Sequence, residues 1–257
     1  MIALIDGYDT AMFDLDGVVY LGPVAIPGAV EGMAALRERG VRACYVTNNA
    51  ARPVETVAEH LSELGFPATV DDVVTSAQAA VALMREELPA GTRVLVAGTR
   101  NLVDMVAEAG FTVVDSAEDA PGAVVQGYDP EMTWPRLDQA AYAVQDGARW
   151  YACNTDSTRP TTRGLVPGAG VAVYAVQVTT RTEPIVTGKP FRPLMAEALR
   201  RSGARRALFV GDRLDTDIAG AGGAGMPSVL VLSGVSTRAD LEAGAIQPTL
   251  VMADIRE

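Results

Sequence analysis

Short apolar runs alternate with amphipathic stretches along most of this 257-residue chain. Ala11-Met12-Phe13 predicts a buried strand, and Asp14-Leu15-Asp16-Gly17 follows it, with Gly17 letting the chain turn away. Beyond Pro27-Gly28, the residues Val30, Met33, Ala34 and Leu36 share a helical face, which Gly40 closes. Residues 41–46 read as a strand that ends in Thr47-Asn48-Asn49. Pro53 then suits the first turn of a helix with Val54, Val57, Leu61 and Leu64 apolar and Gly65 at its end. This β-α-β-α order predicts a parallel sheet with right-handed crossovers.

The middle of the chain starts the rhythm again. A helix is predicted at 77–88, a break at Pro89-Ala90-Gly91, then strand 94–96, helix 102–109 and strand 111–114. Strand 123–125, helix 137–144 and strand 150–153 follow. The Gly/Pro-rich stretch 164–170 interrupts the pattern, and 181–184 reads as a linker. Lys189-Pro190 precedes a helix at 193–201, and strand 207–210 runs into Gly211-Asp212-Arg213-Leu214-Asp215-Thr216-Asp217. A small-residue helix to Gly225, strand 228–232 and a polar C-terminal segment complete the chain. The expected fold class is α/β. It has a doubly wound, Rossmann-like parallel-sheet core (1–78 and 185–257) with a separate α/β domain inserted over 79–184.

Composition narrows the function classes. Hydrophobic residues make up 49% of the chain, enough for a sizeable core. Acidic residues outnumber basic ones by 32 to 21, a net charge of -11, and no basic stripe is apparent, so nucleic acid and anionic membrane are not expected partners. An acidic protein acting on an anion must bring local positive charge to the site, for example as a metal ion. Cys44 and Cys153 lie in apolar, strand-like runs, which suits two buried thiols in a reducing compartment. With neither a basic-then-apolar leader nor a run of membrane-spanning length, the expected location is the cytoplasm.

Three predicted strands end in polar clusters: Asp14/Asp16, Thr47/Asn48/Asn49 and Asp212/Asp217. A parallel sheet places all three on its carboxyl edge, where ligands bind. Two carboxylates as close as Asp14 and Asp16 are costly unless a cation or a proton stands between them, although an Asp-Gly pair also closes ordinary turns. Lys189, just ahead of a helix, can face an anion together with the helix's amides. Carboxylates, a hydroxyl-amide pair and a lysine suit phosphoryl transfer assisted by Mg²⁺, a cation that favours hard oxygen ligands.

Asp14-Leu15-Asp16-Gly17, Thr47-Asn48-Asn49, Gly188-Lys189-Pro190 and Gly211-Asp212-Arg213-Leu214-Asp215-Thr216-Asp217-Ile218 resemble, in order and spacing, the four motifs of the haloacid dehalogenase superfamily. The long α/β insertion resembles the large cap of the NagD-like branch, which includes glycerol-phosphate, phosphoglycolate, pyridoxal-phosphate and nitrophenyl-phosphate phosphatases. The resemblance implies that Asp14 is the nucleophile and becomes transiently phosphorylated. It implies that Asp16 protonates the leaving alkoxide and then deprotonates the hydrolytic water. It assigns Mg²⁺ to the Asp14 side chain, the Asp16 main-chain carbonyl and Asp212, with Asp217 as a minor ligand or a supporting residue. Thr47, Asn48 and Asn49 would bind the phosphoryl group, with Lys189 bridging it to Asp14. Asn154 and Asp156, after a predicted cap strand, correspond to a segment that faces substrate in the family. The segments 74–78, 125–127 and 154–156 resemble glycerol-phosphate phosphatases most, so glycerol 3-phosphate is the first expected substrate. Phosphoglycolate, nucleotides and pyridoxal phosphate are the alternatives. The cap of this branch also implies a possible homodimer.

Other readings of the same residues compete. Thr47 can cap the following helix and Asn48 can close a turn. Asp215 reads as a turn or cap residue, and the single histidine, His60, as a surface residue without a catalytic role. Gly220-Ala221-Gly222-Gly223-Ala224-Gly225 fits G-x-G-x-x-G, but it ends a helix instead of opening one after a strand, which argues against a dinucleotide-binding oxidoreductase. Gly188-Lys189-Pro190 lacks the upstream glycine and the Ser/Thr of a P-loop. A non-catalytic effector-binding module of the same fold has no need of the acid at position 16.

Overall fold

The computed structural model describes residues 4–161 and 163–256. It opens with β1 (Thr10–Phe13), the short hairpin β2 (Tyr20–Leu21) and β3 (Val24–Ala25), α1 (Ala29–Glu38), β4 (Arg42–Thr47), α2 (Val54–Glu63) and β5 (Val73–Thr75). The middle runs through α3 (Ser76–Glu87), β6 (Arg93–Ala97), α4 (Arg100–Glu108), β7 (Thr112–Val114), β8 (Ala123–Gln126), α5 (Trp134–Gln145) and β9 (Arg149–Ala152). It continues with β10 (Thr158–Thr161), β11 (Gly164–Pro167), α6 (Ala169–Thr180) and β12 (Ile185–Val186). The last part holds α7 (Arg192–Ser202), β13 (Ala207–Gly211), α8 (Ala219–Gly223), β14 (Ser228–Val231), α9 (Arg238–Ala243) and β15 (Leu250–Met252).

These elements form two units. One comprises the chain up to Thr47, Val54–Val74 and Lys189 onward; the other comprises Asn48–Pro53 and Thr75–Gly188. The first is built on a six-stranded sheet of order β15-β14-β13-β1-β4-β5. β1 is buried along its whole length because neighbours cover both of its edges and both faces: Phe13 stands in register with Val210 of β13 and Tyr45 of β4, both parallel. That explains an uninterrupted apolar run where a half-exposed strand would alternate. Phe13, Tyr45, Leu61, Phe66, Leu208 and Val229 belong to one continuous core.

The second unit has its own five-stranded sheet, β12-β9-β8-β6-β7, with parallel pairing throughout. Its strands bury both faces. Val96, Val125 and Tyr151 pack on one side with Met84 and Leu102, while Leu95, Val124 and Trp150 pack on the other with Val144 and Val176. Thr75 caps α3 through a reciprocal bond pair with Gln78, and Thr133 caps α5 ahead of Pro135.

The α/β class and the parallel core are as expected, and several elements were not foreseen. β5 is only three residues long. The Gly/Pro-rich stretch read as an interruption, 164–170, holds β11, the second strand of a hairpin with β10, and the start of α6, whose apolar residues surround the helix and so leave little periodicity to read. The polar C-terminal segment contains α9, capped by a Thr237/Asp240 box, and the sheet-edge strand β15. Both cysteines are free and buried. Among the described residues, no helix is long and apolar enough to cross a membrane.

Candidate active site

The three strands that end in polar clusters are neighbours. β1 lies between β13 and β4, and all three point the same way. The Asp14 amide donates to the Val210 carbonyl at 2.9 Å, which keeps Asp14 in step with the sheet at its carboxyl edge. Asp212 follows β13 directly, and Thr47 is the buried last residue of β4.

Lys189 is the hub. Its ammonium reaches Asp14 Oδ1 at 2.6 Å, Asp217 Oδ1 at 2.8 Å and the Val46 carbonyl at 3.1 Å, and it lies over the Phe209 ring. Only 2% of its side chain is exposed. Burial alone would depress an ammonium's pKa, but Asp14 and Asp217 more than offset it, so Lys189 is held firmly protonated.

Asp217 lies in a π-helical turn, Leu214–Ile218. Its Oδ2 accepts from the amides of Asp212 and Arg213, both at 3.1 Å, so Asp217 shapes the loop that presents Asp212. Asp212 is fully buried. Its Oδ2 accepts from the Val235 amide at 2.7 Å, while its Oδ1 accepts no hydrogen bond. A Cβ on Gly17, whose φ is +92°, would come within 2.6 Å of Asp212 Oδ2, and one on Gly234 would overlap the same carboxylate. Glycine is therefore required at 17 by both conformation and space.

Burial, aided by the charges of Asp217 and Asp212, raises the Asp14 pKa well above the ordinary carboxylate range against the pull of Lys189. Burial and then Asp217 push Asp212 up to about 7. Oxygens of Asp14, Asp212 and Asp217 lie within 4.8 Å of one another. Three carboxylates against one ammonium leave the cluster short of positive charge, and Asp212 Oδ1 is a buried acceptor without a donor. Both deficits are those a hard divalent cation fills, so the residues present fit Mg²⁺. Asp16 is half-buried two residues beyond Asp14, and its backbone bridges to Tyr20.

The remaining expected residues meet in the second unit. The Asn48 amide donates to both oxygens of Asp156 at 3.2 and 3.1 Å, and Asn154 Nδ2 donates to the Asn48 carbonyl at 2.7 Å. Asn154 Oδ1 in turn accepts from the Asp156 amide at 3.1 Å. Ser76 Oγ donates to the same Asn48 carbonyl. Asn49 Oδ1 accepts from the Ala51 amide at 2.9 Å, the geometry of a local turn. Arg159 is exposed and lies over the Tyr128 ring, and Arg163 is exposed.

Some participants escaped the sequence reading. Ser233 and Gly234, just past β14, line the Asp212 side of the cluster: Ser233 Oγ donates to the Gly17 carbonyl at 2.8 Å. The signal was a Ser-Gly turn beyond a strand adjacent to the Asp212 strand. Gly220, part of the glycine run, sits against Pro190 and Met195 and so permits close approach to the Lys189 segment.

A family model for the haloacid dehalogenase-like hydrolases matches residues 11–112, and a second, HAD-hydrolase-like model matches 186–257. The chain is 46% identical over 258 residues to the D-glycerol 3-phosphate phosphatase of Mycobacterium tuberculosis, spanning 100% of this chain and 72% of that protein. It is 34% identical over 252 residues to an acid sugar phosphatase of Staphylococcus aureus, covering 97% and 96% of the two. Among solved structures, the glycerol phosphate phosphatase of Mycobacterium tuberculosis in complex with magnesium matches with a TM-score of 0.95 at 46% identity, over 100% of this chain and 78% of that one. The 4-nitrophenylphosphatase of Thermotoga maritima matches with a TM-score of 0.92 at 30% identity, over 100% and 98%.

Proposed function

The chain belongs to the haloacid dehalogenase-like hydrolases, and within that family we propose that it is a Mg²⁺-dependent phosphomonoesterase whose substrate is glycerol 3-phosphate. The observation that carries this reading is the buried Asp14–Lys189–Asp217 ion cluster beside the donor-less Asp212 Oδ1. The likeness to a glycerol-phosphate phosphatase supports the choice of ester.

In this reading Lys189 fixes the Asp14 carboxylate through Oδ1 and presents its other oxygen for attack on phosphorus. Lys189 pulls the Asp14 pKa down against the effect of burial, so it supports both orientation and ionisation. Asp14, the Asp16 carbonyl and Asp212 would hold Mg²⁺, and Asp217 supports Asp212 and Lys189. When bound, the cation neutralises charge on Asp14, Asp212 and the phosphoryl oxygens. Asp14 forms the aspartyl phosphate as the ester oxygen departs, and Asp16 delivers that oxygen its proton. Asp16 then takes a proton from the water that cleaves the acyl phosphate, returning Asp14. Thr47 and the Asn48-Asn49 segment are assigned to the phosphoryl oxygens.

The inserted α/β segment, 79–184, is read as the family's cap, and choice among esters is assigned to it, with Asn154 and Asp156 as its participating residues. A homodimer through the cap is part of the reading, supported by Val171, Tyr174 and Val178, all exposed along α6. Free buried thiols support a cytoplasmic location.

The test is phosphate release from glycerol 3-phosphate, phosphoglycolate, pyridoxal phosphate, UMP and p-nitrophenyl phosphate, with Mg²⁺ and with chelator. The expected result is metal-dependent release with glycerol 3-phosphate preferred. Preference for another ester would overturn the substrate, and release unaffected by chelator would overturn the metal role.

A further inference from the structure

The β2–β3 hairpin begins four residues after Asp16; Tyr20 anchors its first strand in the core, but its tip is exposed. Leu21 and Val24 are 45% and 63% exposed, and only two residue pairs join the strands. A hairpin that short does not hold itself together in water. Yet it carries hydrogen bonds on which the Asp16 loop depends. The Gly17 amide donates to the Tyr20 carbonyl at 2.8 Å, the Tyr20 amide donates to the Leu15 carbonyl at 3.2 Å, and Asp16 and Tyr20 bridge as in a sheet.

What holds the hairpin from outside includes His60 on α2. Its Nε2 lies 3.0 Å from the Gly22 carbonyl at the hairpin's turn. A carbonyl only accepts, so Nε2 carries the proton. The same ring meets Tyr20 edge to face, with centroids 5.0 Å apart and planes at 71°. One side chain thus grips both the turn and the buried aromatic of the segment that follows Asp16. His60, expected as a surface residue without a catalytic role, is half-buried and has two partners.

We propose that His60 is a positioning residue for Asp16, locking the β2–β3 hairpin so that the Leu15–Gly17 loop holds the general acid in place. The inference rests on the phosphatase reading above and adds a residue to it. Asp16 donates its proton in the first chemical step only where the leaving group needs one. Loss of His60 therefore acts selectively on esters with poor leaving groups.

The experiment compares kcat/KM, which reports steps through phosphoryl transfer to Asp14, for glycerol 3-phosphate and for p-nitrophenyl phosphate. The proteins are wild type, His60→Ala, His60→Phe (ring without donor) and His60→Gln (donor without ring). The expected loss for His60→Ala and His60→Phe on glycerol 3-phosphate is about tenfold, part of the roughly 10²–10⁴-fold a general acid supplies, with p-nitrophenyl phosphate changed less than about twofold. His60→Gln restores most of the loss. Equal losses on both esters, or no loss on either, would overturn the positioning role and leave the phosphatase reading standing. If His60→Ala does not fold, the contrast between His60→Phe and His60→Gln decides, and identical ratios for those two overturn the proposal. Wild type that releases no phosphate from either ester removes both readings together.

Discussion

Lys189 Nζ and Asp14 Oδ1 meet at 2.6 Å across 175 positions of sequence, and both side chains are buried. Neither charge is tolerable there alone. Burial pushes the Asp14 pKa up and would push that of Lys189 down, and each partner opposes the other's shift. The pair joins the first strand of the core to the segment on which the chain returns to it, so one contact links the proposed nucleophile to the closure of the fold.

Breaking that pair from one side is expected to cost about 3–5 kcal/mol, the usual penalty for leaving a buried charge alone. Lys189→Met should lower the urea midpoint of metal-free protein accordingly and abolish turnover. In the double variant Lys189→Met/Asp14→Asn part of the loss should return, as non-additivity of more than about 1 kcal/mol. Strictly additive effects would show that the two groups do not sense each other.

Asp14→Asn is expected to lower phosphate release by at least about 10⁴-fold, on the scale of removing other nucleophiles, and to leave no acid-stable or gel-detectable phosphoenzyme. It should keep the far-UV spectrum of wild type. Asp16→Asn should slow glycerol 3-phosphate far more than p-nitrophenyl phosphate. An Asp14→Asn protein with near-normal turnover would remove the nucleophile assignment.

Much of this site was legible because its parts sit where strands end. Apolar runs located β1, β4 and β13, and parallel pairing then forced Asp14, Thr47 and Asp212 onto one edge. Sequence could not show that Lys189 bonds Asp217 as well as Asp14, since that depends on a π-helical turn no periodicity announces. Nor could it show Gly234 against Asp212, which follows only from β14 lying next to β13. The apolar, uncharged α6 was missed because a helix that is apolar on every side has no stripe to detect. His60 escaped for another reason: its partners are a carbonyl and a ring on a hairpin too short to read as strands.

Magnesium and protons should compete. Burial and then Asp217 push Asp212 up to about 7 in the metal-free fold, against about 3.9 for an unfolded aspartate. Since the folded value is the higher one, the folded state binds the extra proton between about pH 4 and 7, and metal-free protein loses stability as pH rises through that window. At about 1.4 kcal/mol per pKa unit the loss is on the order of a few kcal/mol. Asp212→Asn should reduce this pH dependence, leaving the part that comes from the raised Asp14, and raise the melting temperature of metal-free protein at pH 8, while abolishing Mg²⁺ binding. Calorimetric titration of wild type should show proton release on Mg²⁺ binding and an affinity that climbs toward pH 7 and then levels. An affinity independent of pH from 5 to 8 would exclude protonated Asp212 as the competitor.

Gly234→Ala tests how tightly the Asp212 carboxylate is held. A Cβ at position 234 would overlap Asp212 Oδ2, the oxygen that accepts from the Val235 amide at 2.7 Å. The loop from Ser233 to Ser236 must then retreat or the carboxylate must swing, and either movement loses the Val235 bond or shifts Oδ1, the acceptor left without a donor. Because Asp212 does not itself attack the substrate, the expected signature is a raised Mg²⁺ requirement, about tenfold for the loss of roughly 1.4 kcal/mol, with kcat largely recovered at saturating metal. Mg²⁺ titration of phosphate release measures both quantities at once. A variant with unchanged Mg²⁺ dependence but reduced kcat would place Gly234 in service of the reaction itself and not of the metal.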